Sequence, residues 1–374
     1  MKLSEISLFS LSIPFKLKFS HSLFTRNKSE TLLAVSFDSG AKGYGEGTPR
    51  PYVTGETWAQ TVSAAKKLAL ACKGKKFHKW NDLRSFLLQM ARSKVAREAP
   101  SAWCAVELSI LDLWAKQNQV PLWRLFVSSP ASTCFYYSAS LPILSPDKLK
   151  HILAMIKGLG IYRVKLKAKN IEQGIQALSL ARKFLGPHAE IRVDANGAFD
   201  LEVALEFLEG AKDFSITAIE QPVDKYDLSS FKIITESGGT TTIADESMFA
   251  TEEPVSLLDD GVCHGLNIRL SSSGGFLKSL SLARKVIDRD GILQLGGHVG
   301  ETSILSAAAR HLAAVVGHVK FLEGSASKYL LSFDISKQDI SFGDKGYAPL
   351  LNSPGLGIEI VEQRLSQIAR PIYL

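Results

Sequence analysis

The sequence predicts an α/β fold in which a (β/α)7β barrel carries an N-terminal α+β capping domain, completed by the C-terminal segment. Three observations predict it. The first third of the chain alternates like short strands and then carries two helical stretches. From about Tyr136, short apolar strands alternate with longer helical patterns, as in parallel β/α units. Lastly, polar residues at the strand ends recur with the length of one β/α unit.

Residues 1–130 are assigned to the capping domain. Period-two alternation predicts strands, and an apolar face at helical spacing predicts helices, at residues 3–13, 31–37, 42–47, 57–71 and 102–116. The turn Ser39-Gly40 separates two of the strands. Gly43, Gly45 and Gly47 are interpreted as tight turning between strands, because no Lys-Ser/Thr follows them as it would in a phosphate loop.

Residues 131–353 are assigned to a modified TIM-like barrel, and residues 354–374 to a segment that returns to the capping domain. Short apolar runs with polar ends predict barrel strands at residues 163–167, 190–194, 218–221, 242–245, 265–269, 293–298 and 319–323. Helical patterns between them cover residues 171–184, 201–209, 277–287 and 302–316.

The spacing of the polar strand ends is the strongest evidence for the barrel. The intervals between successive members are 27, 26, 25, 24, 29 and 25 residues, for the series Lys167, Asp194, Glu220, Asp245, Arg269, His298 and Glu323. About eight such units fill a barrel of this size, and the carboxyl ends of its strands meet at one mouth. The side chains of the series are therefore expected to face one site.

Asp194, Glu220 and Asp245 would place three carboxylates on adjacent strands, where they repel one another unless a cation lies among them. Three oxygen donors with room for water and substrate suit Mg²⁺. The alternative is that each residue is a separate helix cap or turn residue, and the shared period argues against it. The sequence therefore predicts a magnesium site, with these three residues as ligands.

Lys165 and Lys167 share the inward face of their strand, because side chains alternate with period two. A lysine beside another cation in a desolvated cavity has a lowered pKa, as a general base requires. The alternative is a pair of solvated surface lysines. We favour a catalytic role, since the strand is otherwise apolar and lies one unit before the first carboxylate.

Four motifs in order carry a resemblance to a known family: Lys165-Leu166-Lys167, Asp194-Ala195-Asn196, Glu220-Gln221-Pro222 and Ala244-Asp245-Glu246-Ser247. Together they resemble the enolase superfamily, close to its muconate lactonising enzyme subgroup. The resemblance implies that Mg²⁺ stabilises an enediolate while Lys167 removes the proton beside a carboxylate. It also implies that loops at residues 19–28 and 48–54 close over the barrel, with Arg26, Tyr52, Asn196 and Glu323 as substrate-binding residues.

The sixth strand departs from the subgroup, which usually carries a second lysine there. Arg269 stands in its place, and arginine stays protonated, so it can stabilise an anion but not act as a base. Racemases and epimerases need a base on each face of the enolate, whereas cycloisomerisation and syn elimination need one. His298 is a candidate second base, because the mandelate racemase branch has its histidine at the seventh strand. A structural role for His298 is an equal alternative.

Two further acidic residues follow late strands. Glu323 keeps the second position of the Asp-x-Asp with which related dipeptide epimerases hold a substrate ammonium, but Phe321 replaces the first, so dipeptide specificity is doubtful. Glu301 is expected to cap the helix that follows it, with a position at the barrel mouth as the alternative.

Composition limits the partners and the location. The net charge of +7 is spread without a long basic run, which argues against nucleic-acid binding and allows steering of an acidic substrate. The four cysteines are isolated, and the N-terminus alternates like a strand, so a reduced, cytoplasmic protein without a membrane span is expected. A small carboxylate is the expected partner, and a homo-oligomer is possible.

Three hypotheses for function follow. The first is a Mg²⁺-dependent cycloisomerase or lyase, of the muconate cycloisomerase or o-succinylbenzoate synthase kind, with Lys167 as base and Arg269 as the cation across the enolate. The second is a racemase or epimerase of amino-acid derivatives or dipeptides, which uses Lys167 and His298. The third is a silent barrel kept as a binding protein, which is disfavoured because such a barrel does not need the carboxylates and Lys167.

Overall fold

The computed structural model describes residues 1–20 and 24–374 and has the predicted two-part architecture. Its N-terminal elements are β1 (Glu5–Leu11), β2 (Pro14–Ser20), β3 (Thr25–Lys28), β4 (Thr31–Asp38), β5 (Ala41–Gly47), α1 (Pro51–Thr54), α2 (Trp58–Cys72), α3 (Trp80–Ala91), α4 (Lys94–Glu98) and α5 (Pro100–Gln117). The predicted strands and helices of this part are present with small shifts at their ends. The β2–β3 hairpin and the helices α1, α3 and α4 were not predicted.

The second part alternates strands and helices: β6 (Cys134–Tyr136), β7 (Ala139–Leu141), α6 (Pro146–Gly158), β8 (Arg163–Lys167), α7 (Ile171–Leu185), β9 (Glu190–Asp194), α8 (Leu201–Ala211), β10 (Ala218–Glu220), α9 (Leu228–Glu236), β11 (Thr241–Ala244), α10 (Ser256–Asp259), β12 (Gly265–Ile268), α11 (Leu270–Ser273), α12 (Phe276–Ile287), β13 (Ile292–Leu295), α13 (Ser303–Val316), β14 (Val319–Leu322), α14 (Ser327–Leu330), β15 (Tyr347–Pro349), α15 (Glu362–Ile368) and β16 (Arg370–Ile372).

Strands β7 to β14 form an eight-stranded sheet in chain order, and its neighbouring strands are parallel. The sheet closes where the backbone N–H of Ser138, beside β7, donates to the carbonyl of Leu322 on β14 at 2.8 Å. Helical segments connect the successive strands, as the (β/α)7β prediction requires. The fold class predicted from the sequence is therefore confirmed.

The capping domain is built on an antiparallel sheet in the order β16-β1-β4-β5. Helix α5 packs on this sheet, and its side chains are buried along almost the whole length from Pro100 to Ala115. The last strand, β16, pairs with β1, so the end of the chain lies beside its beginning. The proposed boundaries near residues 130 and 353 stay a prediction.

The glycines of β5 correct one interpretation, because they lie inside a strand rather than in turns. A Cβ on Gly43, Gly45 or Gly47 would lie 2.0–2.1 Å from a backbone carbonyl oxygen of α5. Side chains two apart share one strand face. The glycine spacing therefore serves close approach of the α5 backbone to the sheet.

Replacing Gly45 with alanine is expected to lower the free energy of unfolding by about 3 kcal/mol or more, because neither backbone can move away easily. Denaturant unfolding measures the change. The matched control is Gly158→Ala, where an added Cβ meets no atom within 4 Å. Equal stability of the two variants would contradict the close-packing explanation.

Two buried carboxyl groups of the capping domain accept hydrogen bonds from the first residues of barrel helices. Glu46 accepts from the backbone N–H of Thr302, just before α13, and from the backbone N–H of Leu305, within α13. Glu107 accepts from the backbone N–H of Phe276, the first residue of α12. Burial raises the pKa of Glu46 to about 7 and that of Glu107 to about 8. These contacts fix the capping domain over the barrel, since helix N-termini attract acceptors.

Among the described residues, no helix is long and apolar enough to cross a membrane.

Candidate active site

The predicted strand ends meet at one end of the barrel. Lys167, Asp194 and Glu220 are register partners across β8, β9 and β10, and Asp245 directly follows β11. The carboxylates are almost completely buried, at 1–2% exposure. Strand pairing therefore brings together three acidic residues that are distant in the sequence.

Each of the three carboxylates accepts from a cationic side chain. Lys167 Nζ lies 2.5 Å from Asp194 Oδ2, and Lys165 Nζ lies 2.7 Å from Glu220 Oε2. Arg269 Nε donates to Asp245 Oδ1 at 3.0 Å. Repulsion among the carboxylates is thus offset in the structure by cations of the chain itself.

Lys165 differs from the expectation of a lysine with a lowered pKa. Burial alone would lower its pKa, but the charges of Glu220, Glu323 and Asp194 together raise the pKa of Lys165 above its ordinary value. Burial would likewise raise the pKa of Glu220, but Lys165 and Lys167 lower it to about 2. Three carboxylates within 3.4 Å therefore favour the charged form of Lys165.

The donor set of the three carboxylates fits Mg²⁺, because carboxylate oxygens are the ligands that this ion prefers. Among residues 1–20 and 24–374, however, no group of three or more His, Cys, Asp or Glu side chains is already arranged to hold an ion. The oxygens face lysine and arginine instead. Each carboxylate has about four lone-pair sites, so Asp194 and Asp245 can accept from Lys167 and Arg269 and still bind a divalent cation.

His298 lies beside Arg269 in the cavity and is 4% exposed. Arg269 Nη1 is 3.1 Å from His298 Nδ1, and Ser272 Oγ is 2.6 Å from His298 Nε2. Arginine can only donate, so Nδ1 is the acceptor and the neutral ring carries its proton on Nε2. Burial and then the charge of Arg269 lower the pKa of His298 well below its ordinary value. Both ring nitrogens are thus engaged by protein groups.

The prediction that Glu301 caps the following helix is wrong. Thr302 is the N-cap of α13, and its side chain accepts from Ile304 N–H. Glu301 instead accepts from the backbone N–H of His298 and lines the cavity. Burial raises the pKa of Glu301 to about 8. The alternative position at the barrel mouth is the one observed.

Several buried polar residues that were not predicted as site residues hydrogen-bond to the predicted carboxylates and their neighbours. Asn267 Nδ2 donates to Glu220 Oε1 at 2.7 Å, and Gln294 Nε2 donates to Glu220 Oε2 at 2.8 Å. Gln221 Oε1 accepts from the backbone N–H groups of Asp245 and Ser247, each at 3.0 Å. Period-two counting back from Arg269 would have indicated Asn267, because both face inward.

Asn196 is a second support of Lys167. Its Oδ1 accepts from Lys167 Nζ at 2.7 Å, and its Nδ2 donates to Glu246 Oε1 at 3.2 Å. Glu246 is a fourth buried carboxyl group of the site, and burial followed by the charge of Asp194 raises its pKa to about 7. Glu246 belongs to the quoted Ala-Asp-Glu-Ser motif, although no role was assigned to it.

A cavity of about 220 Å³ contains the lysines, the carboxylates, Arg269 and His298. Tyr52 lines it, as do Asn196 and Glu323, whereas Arg26 is not among the lining residues. Instead, Arg26 Nη1 lies 3.5 Å from Glu30 Oε2, and the guanidinium of Arg26 lies over the ring of Phe24. Phe19 of the predicted closing loop also lines the cavity, and residues 21–23 of that loop lie outside the described residues.

The chain thus has a barrel fold in which charged residues at the carboxyl ends of the strands line one cavity, as in barrel enzymes. Its sequence matches the family model for the mandelate racemase / muconate lactonizing enzyme N-terminal domain at residues 7–126, and the enolase C-terminal domain-like model at residues 149–364. The protein belongs to the mandelate racemase / muconate lactonizing enzyme family of the enolase superfamily. It is therefore an enzyme of the isomerase type, which argues against a silent barrel.

Similar proteins cover nearly the whole chain. A hydrophobic dipeptide epimerase from Enterococcus faecalis is 27% identical over 361 residues, which is 96% of this chain and 99% of the relative. A chloromuconate cycloisomerase from Cupriavidus necator is 23% identical and covers 99% of this chain and 100% of its own. The crystal structure of the dipeptide epimerase from Enterococcus faecalis, complexed with Mg and L-Leu-L-Tyr, has a TM-score of 0.87 and 26% identity. That match covers 96% of this chain and 100% of the other.

Proposed function

We propose that the protein abstracts the proton beside a carboxylate of a small substrate, with Lys167 as the base and Mg²⁺ as the cofactor. The observation that carries the proposal is the position of Lys167, which lines the same cavity as Asp194, Glu220 and Asp245 and has its Nζ 2.5 Å from Asp194 Oδ2. Mg complexed with a similar dipeptide epimerase supports the choice of metal.

The residues of the chain divide the chemistry among them. Asp194, Glu220 and Asp245 would hold Mg²⁺, which when bound supplies positive charge at the substrate carboxylate. Asn196 and Asp194 fix the position of the Lys167 amine, which must be neutral to take the proton. Lys165 keeps a positive charge beside the carboxylates, and Arg269 supplies another across the cavity.

One base is sufficient for cycloisomerisation or syn elimination, and this is the outcome that we favour. Arg269 is a cation and cannot accept the proton, and the two nitrogens of His298 already have protein partners. Proton NMR in D₂O with Mg²⁺ and a pool of α-substituted carboxylates tests it. Exchange of the α-hydrogen without inversion supports the one-base reaction, whereas exchange with inversion of configuration contradicts it.

An epimerase that uses Lys167 and His298 is the second candidate, because a hydrophobic dipeptide epimerase is similar over nearly the whole chain. His298 lies in the same cavity as Lys167, on the side of Arg269. For this reaction the imidazole would have to exchange its contact with Arg269 or Ser272 for one with substrate.

His298→Asn is expected to lower α-proton exchange by about tenfold or less, because His298 holds Arg269 in place rather than moving a proton in the one-base reaction. Exchange is followed separately for each enantiomer in D₂O. Equal effects on both enantiomers agree with a positioning role. Loss of proton transfer from one enantiomer alone, with the other retained, would instead identify His298 as the second base.

The further expectations from composition stay proposals. A cytoplasmic location agrees with four cysteines that form no disulfide in the structure. A lyase outcome and assembly into a homo-oligomer are likewise proposed, and size-exclusion chromatography with light scattering tests the assembly.

A further inference from the structure

The cavity that contains Lys167 is also lined, away from the charged strand ends, by a mostly apolar set of residues. It is lined by residues 138–142, at and beside β7, and by residues 323–327, which follow β14. These two segments flank the seam where the barrel closes through the hydrogen bond from Ser138 to Leu322. The cavity therefore continues from the strand ends along this seam.

The walls beyond the seam are made of large apolar side chains. Ile152, Met155 and Leu159 line it from α6 and the residue after it, Tyr329 lines it from α14, and Phe342 lines it from the segment after α14. The rings of Tyr329 and Phe342 lie 5.2 Å apart. The charged residues that line the described part of the cavity all belong to the strand ends or to the loop at residues 297–301. The side chains that line the extension are thus uncharged.

Glu323 directly follows Leu322, which forms the seam hydrogen bond. Its negative charge is balanced by two cationic side chains of the chain. Lys165 Nζ lies 2.7 Å from one of its oxygens, and Arg192 Nη1 lies 2.8 Å from the other. The guanidinium of Arg192 also lies over the ring of Phe321, with 4.3 Å between its Cζ and the ring centroid. A substrate ammonium at this position would have to compete with two buried cations, which like-charge repulsion disfavours.

We propose that the substrate carries an apolar, uncharged tail that extends from the carboxylate end at Lys167 along the seam, between α6 and the Tyr329–Phe342 pair. This inference rests on the proposed function, because it assigns the carboxylate to the strand ends. An apolar tail gains by leaving water, whereas a charged tail loses its hydration without finding a partner.

The test uses carboxylates that share one reactive end and differ in the tail. One series lengthens a straight alkyl tail, and a second compares tails of equal length that end in a methyl, an ammonium or a carboxylate group. Exchange of the α-hydrogen in D₂O with Mg²⁺ gives kcat/KM for each compound. We expect kcat/KM to rise about fourfold for each added methylene that is buried. The methyl-ended compound should exceed both charged ones by about tenfold or more.

The outcomes separate this inference from the function on which it rests. Exchange that is independent of tail length, or that favours a charged tail, would overturn the apolar tail while leaving α-proton abstraction in place. No exchange with any compound of either series would overturn the proposed function itself.

A pair of matched variants tests the position of the tail. Met155 and Ile233 are both 46% exposed on barrel helices, but only Met155 lines the cavity. Met155→Glu is expected to reduce the preference for a methyl-ended over an ammonium-ended tail by about tenfold, because it places a carboxylate on the apolar wall. Ile233→Glu should leave that preference unchanged. An unchanged preference in Met155→Glu, with melting temperatures confirming that both variants fold, would remove the tail from this extension.

Discussion

Lys167→Ala is expected to lower Mg²⁺-dependent exchange of the α-hydrogen by about 10³-fold or more. General base catalysis contributes roughly 10²–10⁴-fold, and an alanine leaves no group of the chain in its place. Lys165 cannot substitute, because its Nζ lies within 3.4 Å of three carboxylates and its pKa is raised. The measurement is the rate of deuterium incorporation by proton NMR, with wild type and variant side by side.

Lys169→Ala is the control for this experiment, because Lys169 is an exposed lysine two residues further along the chain and does not line the cavity. It should exchange at the wild-type rate. Binding of Mg²⁺ by the Lys167 variant separates loss of the base from loss of the metal site. Retained exchange in Lys167→Ala would assign the base to another residue and contradict the proposed role of Lys167.

The barrel and the meeting of the strand ends could be predicted from the sequence because both depend on periodicity. A repeat of 24–29 residues between polar strand ends sets the order of the strands, and strand register then places Lys167, Asp194 and Glu220 side by side. The four ordered motifs indicated the family because they lie at the same strand ends.

What could not be predicted depends on contacts between residues that are distant in the sequence. Whether Glu301 caps its helix or faces the cavity is decided by Thr302, which takes the N-cap position, and by the contact with His298 N–H. Nothing local distinguishes the β5 glycines from turn glycines, because the α5 backbone that packs against them is distant in the sequence. The raised pKa of Lys165 depends on the charges of Glu220, Glu323 and Asp194, which are 55, 158 and 29 residues away in the sequence.

The apolar extension of the cavity is another feature that depends on contacts between residues distant in the sequence. Met155, Tyr329 and Phe342 each read as ordinary apolar residues, and only the closure of the barrel between β7 and β14 brings them to one wall. The sequence motifs contain the residues that act on the reacting end of a substrate. The remaining end is recognised by side chains without a motif, and a structure is needed to find them.

Glu220→Gln is expected to abolish both Mg²⁺ binding and catalysis. Glu220 is the central carboxylate of the three, and it accepts from Lys165, Asn267 and Gln294 at 2.7–2.8 Å. The amide has one oxygen fewer and no charge, so Lys165 loses its nearest counter-charge and the metal loses one of three anionic ligands. We expect kcat/KM to fall by about 10³-fold or more.

Melting temperature with and without Mg²⁺ shows whether that loss arises at the metal. A ligand that binds only the folded state adds about 2.7 kcal/mol at a hundred times its Kd, so Mg²⁺ should raise the melting temperature of the wild type by a few degrees. Glu220→Gln should show no rise, whereas Glu206→Gln, an exposed glutamate on α8, should behave as the wild type. If Mg²⁺ raises the melting temperature of the wild type and of both variants equally, the ion binds outside the site formed by Asp194, Glu220 and Asp245. Lys165 and Arg269 would then be the principal cations that face the substrate carboxylate.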